Sequence, residues 1–255
     1  MNSTETLVDP ATSGQTPTAI DEAAGGHPRR WWVLAVLCLS LFLVVVDNTI
    51  VNVALPTLSA DLNASTTELQ WIVDAYTLVF ASLLLAFGHF GDRFGRRGAL
   101  ALGLILFGAT SALAAFATSA GGLIGVRALM GVGAALVFPA TLAILMNVFT
   151  DKKQRAAAIG IWSGATGMAV AAGPVAGGFL LEHFWWGSVF LVNVPIVVVA
   201  VVAVMFVVPT SKDPDSGRMD WFGLVLSVAS IGLLVWSIIE GPRLGWTSAA
   251  IVAGG

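Results

Sequence analysis

The sequence predicts an all-α polytopic membrane protein, and three observations carry that expectation. Of its 255 residues 57% are hydrophobic and only 11% charged, and the mean hydropathy of +0.88 lies far above that of water-soluble chains. Seven apolar stretches each reach the roughly 20 residues that a bilayer-crossing helix needs. Lysine and arginine gather in the tail and in alternate connections, as expected of a chain that crosses a membrane repeatedly. The net charge of −3 is uninformative beside where the charges sit.

In chain order, residues 1–28 are polar, acidic and rich in Thr, Ala, Gly and Pro, which reads as a disordered cytoplasmic tail rather than a cleavable signal. Spans follow at about 31–57, 69–90, 98–117, 121–149, 156–180, 188–208 and 221–240. Residues 29–208 thus make a six-span bundle. The Pro-, Asp-, Ser- and Gly-containing segment 209–220 is a cytoplasmic linker and the domain boundary, and 221–255 holds a seventh span and the start of an eighth. Cys38, the single cysteine, stands in an apolar run as a small core residue, so an intrachain disulfide is excluded.

Orientation follows from the basic residues. With the N-terminus inside, Arg29, Arg30, Arg93, Arg96, Arg97, Lys152, Lys153, Arg155, Lys212 and Arg218, ten of the twelve, lie on the cytoplasmic side. Trp31, Trp32, Trp71, Trp185, Trp186, Trp221 and Trp246 fall near span ends, where an interfacial aromatic belt belongs.

The chemistry concentrates in 44–58, VVVDNTIVNVALPTL, where Asp47 stands inside an apolar span. Ionisable groups in hydrocarbon cost several kcal/mol, so those that occur face a bundle interior or a water-filled path. At 1.5 Å per residue, Asp47 lies about 24 Å from the inner end of its span, and Asp74 and Arg127 about 7 and 9 Å from the outer ends of theirs. All three therefore share a depth and are expected to face one cavity. With both acids ionised the group carries net charge −1, so a proton and a monovalent cation compete for it. Burial and an arginine partner act on a carboxylate's proton affinity in opposite directions, and the sequence leaves that balance open. Trp71 and Tyr76 flank Asp74 and offer either cation-π contacts or plain packing; Asp74 itself is either a site residue or an interfacial acid that meets water. Asn52 joins the same candidate site. His27, His89 and His183 lack ligand spacing, and neither a metal cluster, a cofactor loop nor a nucleophile-base arrangement supports an enzyme.

Five stretches have recognisable form. The connection after span two, GHFGDRFGRRGAL over 88–100, resembles the loop signature of the major facilitator superfamily at Gly88, Asp92, Arg93, Gly95, Arg96 and Arg97, departing at Phe90 and Gly91. Span four carries Arg127 followed by Gly131 and Gly133, similar to that family's R-x-x-x-G-x-G signature. Span five carries Gly160, Gly173, Pro174, Gly177 and Gly178, similar to its antiporter motif with Ala169 in place of one glycine. Small residues let helices approach and Pro174 frees a backbone bond, so packing alone is the competing explanation. Residues 47–56, DNTIVNVALP, resemble the first-helix signature of the fourteen-span drug/proton antiporter branch, the multidrug and quaternary-ammonium exporters. Asp220, Trp221, Gly241, Gly245 and Trp246 resemble the extra helix which that branch inserts between its halves.

The resemblance implies a six-helix N-terminal bundle of two inverted three-helix repeats plus a linker helix, faintly echoed by Leu55-Pro56 and Phe138-Pro139. It implies proton-coupled efflux of hydrophobic, cationic drugs or antiseptics across the cell membrane by alternating access. A proton gradient supplies the energy and no cofactor is needed. Asp47 is then the substrate and proton site, Asp74 assists, Arg127 tunes both and the 88–97 loop gates. Expected partners are a small hydrophobic or cationic substrate, protons, the lipid bilayer and a C-terminal half or second copy, with no nucleic acid. Complete members of the branch carry that second half, so the chain reads as a fragment or a half-transporter; a non-transporting half and a proton-coupled uptake symporter are the alternatives.

Overall fold

The computed structural model describes residues 27–211 and 221–254, and among them every regular element is a helix. These are α1 (Arg30–Asp61), α2 (Thr66–Phe94), α3 (Arg96–Ala115), α4 (Ala120–Val148), α5 (Lys152–His183), α6 (Ser188–Leu191), α7 (Asn193–Val207), α8 (Trp221–Leu244) and α9 (Ala249–Gly254). With α6 and α7 counted as one span, 7 helices among the described residues are long and apolar enough to cross a membrane. They fall within a few residues of the seven stretches read from the sequence. The tail over 1–26 and the linker residues Lys212, Arg218 and Asp220 lie outside the described residues.

Polar caps set where the helices begin. Ser65 and Glu68 form a reciprocal capping box at the head of α2, with Ser65 N–H donating to Glu68 at 2.9 Å. Ser119 accepts from Gly122 N–H at α4, and Asp151 accepts from Gln154 N–H at α5. The turn after α2 is tighter than the sequence suggests. Helix α2 runs on through Gly88, Asp92 and Arg93 to Phe94, and α3 begins at Arg96, so Gly95 alone makes the turn. Its φ of 117° is open to glycine and strained for other residues. Span six is broken, which the sequence reading does not anticipate. Pro195 has no N–H for the Leu191 carbonyl one turn before it, and the helix interrupts at Val192.

Helix α4 packs between α2 and α3, α1 packs on α5, α7 and α4, α3 meets α7, and α8 lies along α2. Exchanging the first three spans for the second three maps the α2–α4 contact onto α5–α1 and the α3–α4 contact onto α7–α1. The α1–α4 and α3–α7 contacts map onto themselves. Two inverted three-helix repeats produce that pattern. The outward faces are apolar: Leu102 and Ile105 on α3, Val175 and Phe179 on α5, and Val198 and Val202 on α7 are all exposed. Such a surface suits hydrocarbon, where association rests on close packing rather than on hiding apolar area. Trp31, Trp32, Trp185 and Trp246 are exposed as interfacial anchors require, whereas Trp186 is buried edge-on against Phe190 with centroids 6.4 Å apart and belongs to the core.

Gly131 sets the tightest approach that matters for the site. A Cβ there would stand 2.6 Å from the Tyr76 carbonyl of α2, and backbone, unlike a flexible side chain, has nowhere to retreat. Gly131→Val is therefore expected to destabilise the protein by about 1–3 kcal/mol through overpacking. Gly164→Ala, whose Cβ would meet nothing within 4 Å, is expected to be neutral; thermal unfolding in detergent, followed by circular dichroism, checks the pair.

Candidate functional site

The close approach at Gly131 brings Arg127, one helical turn earlier on the same face of α4, against α2. There its Nε donates to the Ile72 carbonyl at 3.0 Å. Its Nη1 donates to Asp47 Oδ2 on α1 at 2.6 Å, and both side chains are 0% exposed. The guanidinium lies over the Tyr76 ring, Cζ 4.3 Å from the centroid. Tyr76 in turn donates its hydroxyl to the Val44 carbonyl of α1 at 3.3 Å, and Phe80 stacks on it at 6.2 Å. One nitrogen, Arg127 Nη2, is buried without a partner among the described residues.

The second carboxylate oxygen has a partner absent from the sequence expectation. Asn193, at the head of α7 just past the break, donates from Nδ2 to Asp47 Oδ1 at 2.8 Å and to Ser111 Oγ on α3 at 3.0 Å. Ser111 donates to the Phe190 carbonyl at 2.8 Å. Asp47 thus ties α1 to α4 and α7. An uncharged amide two residues before a proline in an apolar span was the available signal for Asn193, because polar groups in spans usually bond across helices. Ser111 gave none, since serine is unremarkable inside a span.

The expected single cavity around three charges is not what the structure holds. Asp47 and Arg127 are enclosed in the core as a mutually neutralising pair, because neither charge is tolerable there without the other. Asp74 is half-buried, makes no hydrogen bond or ion pair among the described residues, and has Glu240 of α8 as its electrostatic neighbour. Glu240, buried and unforeseen, pairs with Arg243 at 2.5 Å. Tyr76 is likewise corrected: Arg127 and Phe80 occupy its ring, so it is not open to a substrate cation. Trp71 is half-buried. Asn52 is exposed and bonds its own helix at the Asn48 carbonyl, 3.1 Å away; five residues from Asp47 put it about 140° around α1, away from the pair.

In the 88–97 segment Asp92 pairs with Arg96 at 2.7 Å, one turn apart, with their side chains 34% and 16% exposed. Arg96 N–H donates to the Ser211 carbonyl at 3.0 Å, Arg97 Nη1 to that of Val208 at 3.4 Å, and the Arg93 guanidinium lies 5.7 Å from the Phe94 ring centroid. The segment therefore grips the end of span six. The span-five glycines divide. Gly173 and Gly177 face Thr49 and Ile50 of α1, whereas Gly160 and Gly178 meet nothing within 4 Å, and Pro174 is exposed within an unbroken helix.

Removing one member of the enclosed pair strands the other. Arg127→Gln is expected to cost about 3–5 kcal/mol, while Asp47→Asn with Arg127→Gln is expected to lose less than the two single changes added. Thermal unfolding of the two single variants and the double variant measures that coupling, and strict additivity would show none.

The match to known proteins agrees with this architecture. The profile of the Major Facilitator Superfamily covers residues 37–255. The multidrug efflux pump LfrA of Mycolicibacterium smegmatis is 46% identical over 225 residues, 88% of this chain and 45% of that protein. The methyl viologen resistance protein SmvA of Salmonella typhimurium is 43% identical over 209 residues, 82% of this chain and 42% of that protein. The chain thus spans about half the length of the curated relatives it matches. A crystal structure of the peptide transporter POT shares the fold, with a TM-score of 0.63 at 15% identity, over 86% of this chain and 48% of that one. A multi-pass membrane protein with this helix order and this profile match, the chain belongs to the Major Facilitator Superfamily.

Proposed function

We propose that the chain supplies the proton-handling half of an exporter of small hydrophobic cations that works by alternating access and is driven by a proton gradient. The enclosed Asp47–Arg127 pair carries this reading: it is neutral as it stands, and a single added proton leaves an uncompensated guanidinium in the core. That is an unfavourable state which a rearrangement relieves. Asp74, half-buried and lacking a cationic partner among the described residues, is the group we assign to the substrate cation. Glu240 and Arg243 cancel, so the set retains a single negative charge, for which proton and cation compete. The relatives named for multidrug efflux and for methyl viologen resistance support drug export, and methyl viologen is a dication.

On this reading the chain sits in the cell membrane with its N-terminus in the cytoplasm, and the Asp92–Arg96 pair with the Arg97 contact gates the cytoplasmic side. A second reading, a non-transporting half that acts by packing against a partner half, is favoured by the open face of α5 at Gly160, Gly164, Gly167 and Gly178.

Asp47→Asn in a complete transporter is expected to abolish proton-driven efflux of ethidium or methyl viologen from energised vesicles at matched expression and helicity. Unchanged efflux would overturn the reading. Asp74→Asn is expected to weaken the half-saturation for a cationic substrate about tenfold, the equivalent of one modest charge contact, and to spare a neutral one. Reconstituting the 255-residue chain by itself separates the two readings, since transport by it alone requires self-association.

A further inference from the structure

Asn193 does more than fill space beside Asp47. It is 2% exposed, and its amide N–H groups are committed in two directions, to Asp47 Oδ1 at 2.8 Å and to Ser111 Oγ at 3.0 Å. The Ser111 hydroxyl hydrogen is itself committed to the Phe190 carbonyl at 2.8 Å, so toward Asn193 that oxygen presents only lone pairs. This settles which way the amide faces. Turned over, it would set its oxygen against the carboxylate and against an oxygen with no hydrogen to offer, two acceptor-acceptor contacts between buried groups.

The two oxygens of Asp47 therefore differ. Oδ1 meets a donor that cannot become an acceptor. Oδ2 meets Arg127 Nη1, also a donor, but one that moves on a long side chain with other bonds to hold it. The charged or titratable groups facing Asp47 are Arg127 from α4 and Tyr76 from α2; α3 and α7 present the neutral Ser111 and Asn193, and α5 presents Gly173 and Gly177 to α1.

We propose that Asn193, locked by Ser111, is a positioning residue that reserves Oδ1 of Asp47 for the ionised carboxylate, so that the transported proton binds at Oδ2 and displaces Arg127. The inference rests on the reading of Asp47 as the proton site. In the step, a proton from water forms an O–H bond at Oδ2, the Arg127 Nη1–H···Oδ2 hydrogen bond is lost, and the pair passes from neutral to a single positive charge. A guanidinium has no acceptor for the new hydrogen, and the neutral hydroxyl oxygen no longer offers the charge that held Nη1, so the contact is released. Arg127 keeps the Ile72 carbonyl and the Tyr76 ring, which retain it on α2. The α1–α4 tie opens while Asn193 keeps α1 on α7, so protonation separates one pair of helices rather than loosening the bundle.

The test is an infrared pH titration of the 255-residue chain in lipid nanodiscs, with the carboxyl stretch that disappears in Asp47→Asn assigned to Asp47. Removing the donor in Asn193→Leu is expected to move the midpoint of that band toward alkaline pH by about one unit or more, the tenfold or greater change expected when a carboxylate loses a charge-assisted hydrogen bond. Ser111→Ala leaves Asn193 in place but unlocks its amide, and is expected to move the midpoint the same way by a smaller amount; it decides the question where Asn193→Leu does not fold. Helicity by circular dichroism is expected to be unchanged in Ser111→Ala. A wild-type midpoint in the folded variants overturns the role of Asn193 and leaves Asp47 as the proton site. A chain in which no band responds to Asp47→Asn at any pH overturns the proton-site reading itself, and this inference with it.

Discussion

The fold is arranged around one ion pair in a place where neither ion is tolerable alone. Asp47 and Arg127 are both 0% exposed, and the helices packed around them leave neither open to solvent that could replace its partner. Everything near the pair answers that constraint. Gly131 lacks a side chain, so α4 comes close enough to α2 for Arg127 to reach the Ile72 carbonyl. Tyr76 turns its ring to the guanidinium and its hydroxyl to α1. The break before Pro195 sets Asn193 at the head of α7, where it meets the remaining carboxylate oxygen. Four helices are thus registered by contacts to two side chains.

Such a pair contributes little net stability, because its Coulomb attraction is largely offset by the cost of drying both ions. Its value lies in how sharply the energy changes when the pair is altered. A pair that solvent reaches, such as the partly exposed Asp92–Arg96, is screened and replaceable, and such pairs contribute about 1 kcal/mol or less. An enclosed pair that loses one charge faces the full penalty of the other. On the proposed mechanism that asymmetry converts a single proton into a force on helix packing, which the solvent-reached pair cannot do.

Much of this was legible in the sequence, and the parts that were not share a physical cause. Span positions follow from local hydropathy, which the bilayer makes nearly decisive. The importance of Asp47 and Arg127 follows from the cost of ions in hydrocarbon, and their similar depth from the rise of a helix. What depth cannot supply is rotation about the helix axis. Asp74 shares the depth of the pair, yet α2 gives the pair Ile72 and Tyr76 and leaves Asp74 near Glu240. The ring of Tyr76 meets a cation, but the protein's own, Arg127. Asn193 and Ser111 carry no charge, so the desolvation argument that singles out an aspartate passes over them. The one-residue turn at Gly95 was hidden because polar Asp92 and Arg93 look like loop, although a span that outruns the hydrocarbon continues as helix into the headgroup region.

The glycines of α5 sharpen how α1 is held. Gly173 and Gly177 let α5 lie against Thr49 and Ile50, and a Cβ on Gly173 would collide with the Thr49 hydroxyl. That side of α1 is therefore gripped by shape alone, without a polar bond across it among the described residues. The opposite side is gripped by charge, through Arg127 and Asn193. Contacts made by shape between small residues change little when a helix slides or rocks by an ångström, whereas a hydrogen bond to a carboxylate weakens steeply over the same distance. Helix α1 thus has one smooth face and one that latches. On the proposed mechanism, releasing Arg127 leaves it free to move along α5 while Asn193 holds the pivot, and the direction of that motion is set by which of the two latches the proton opens.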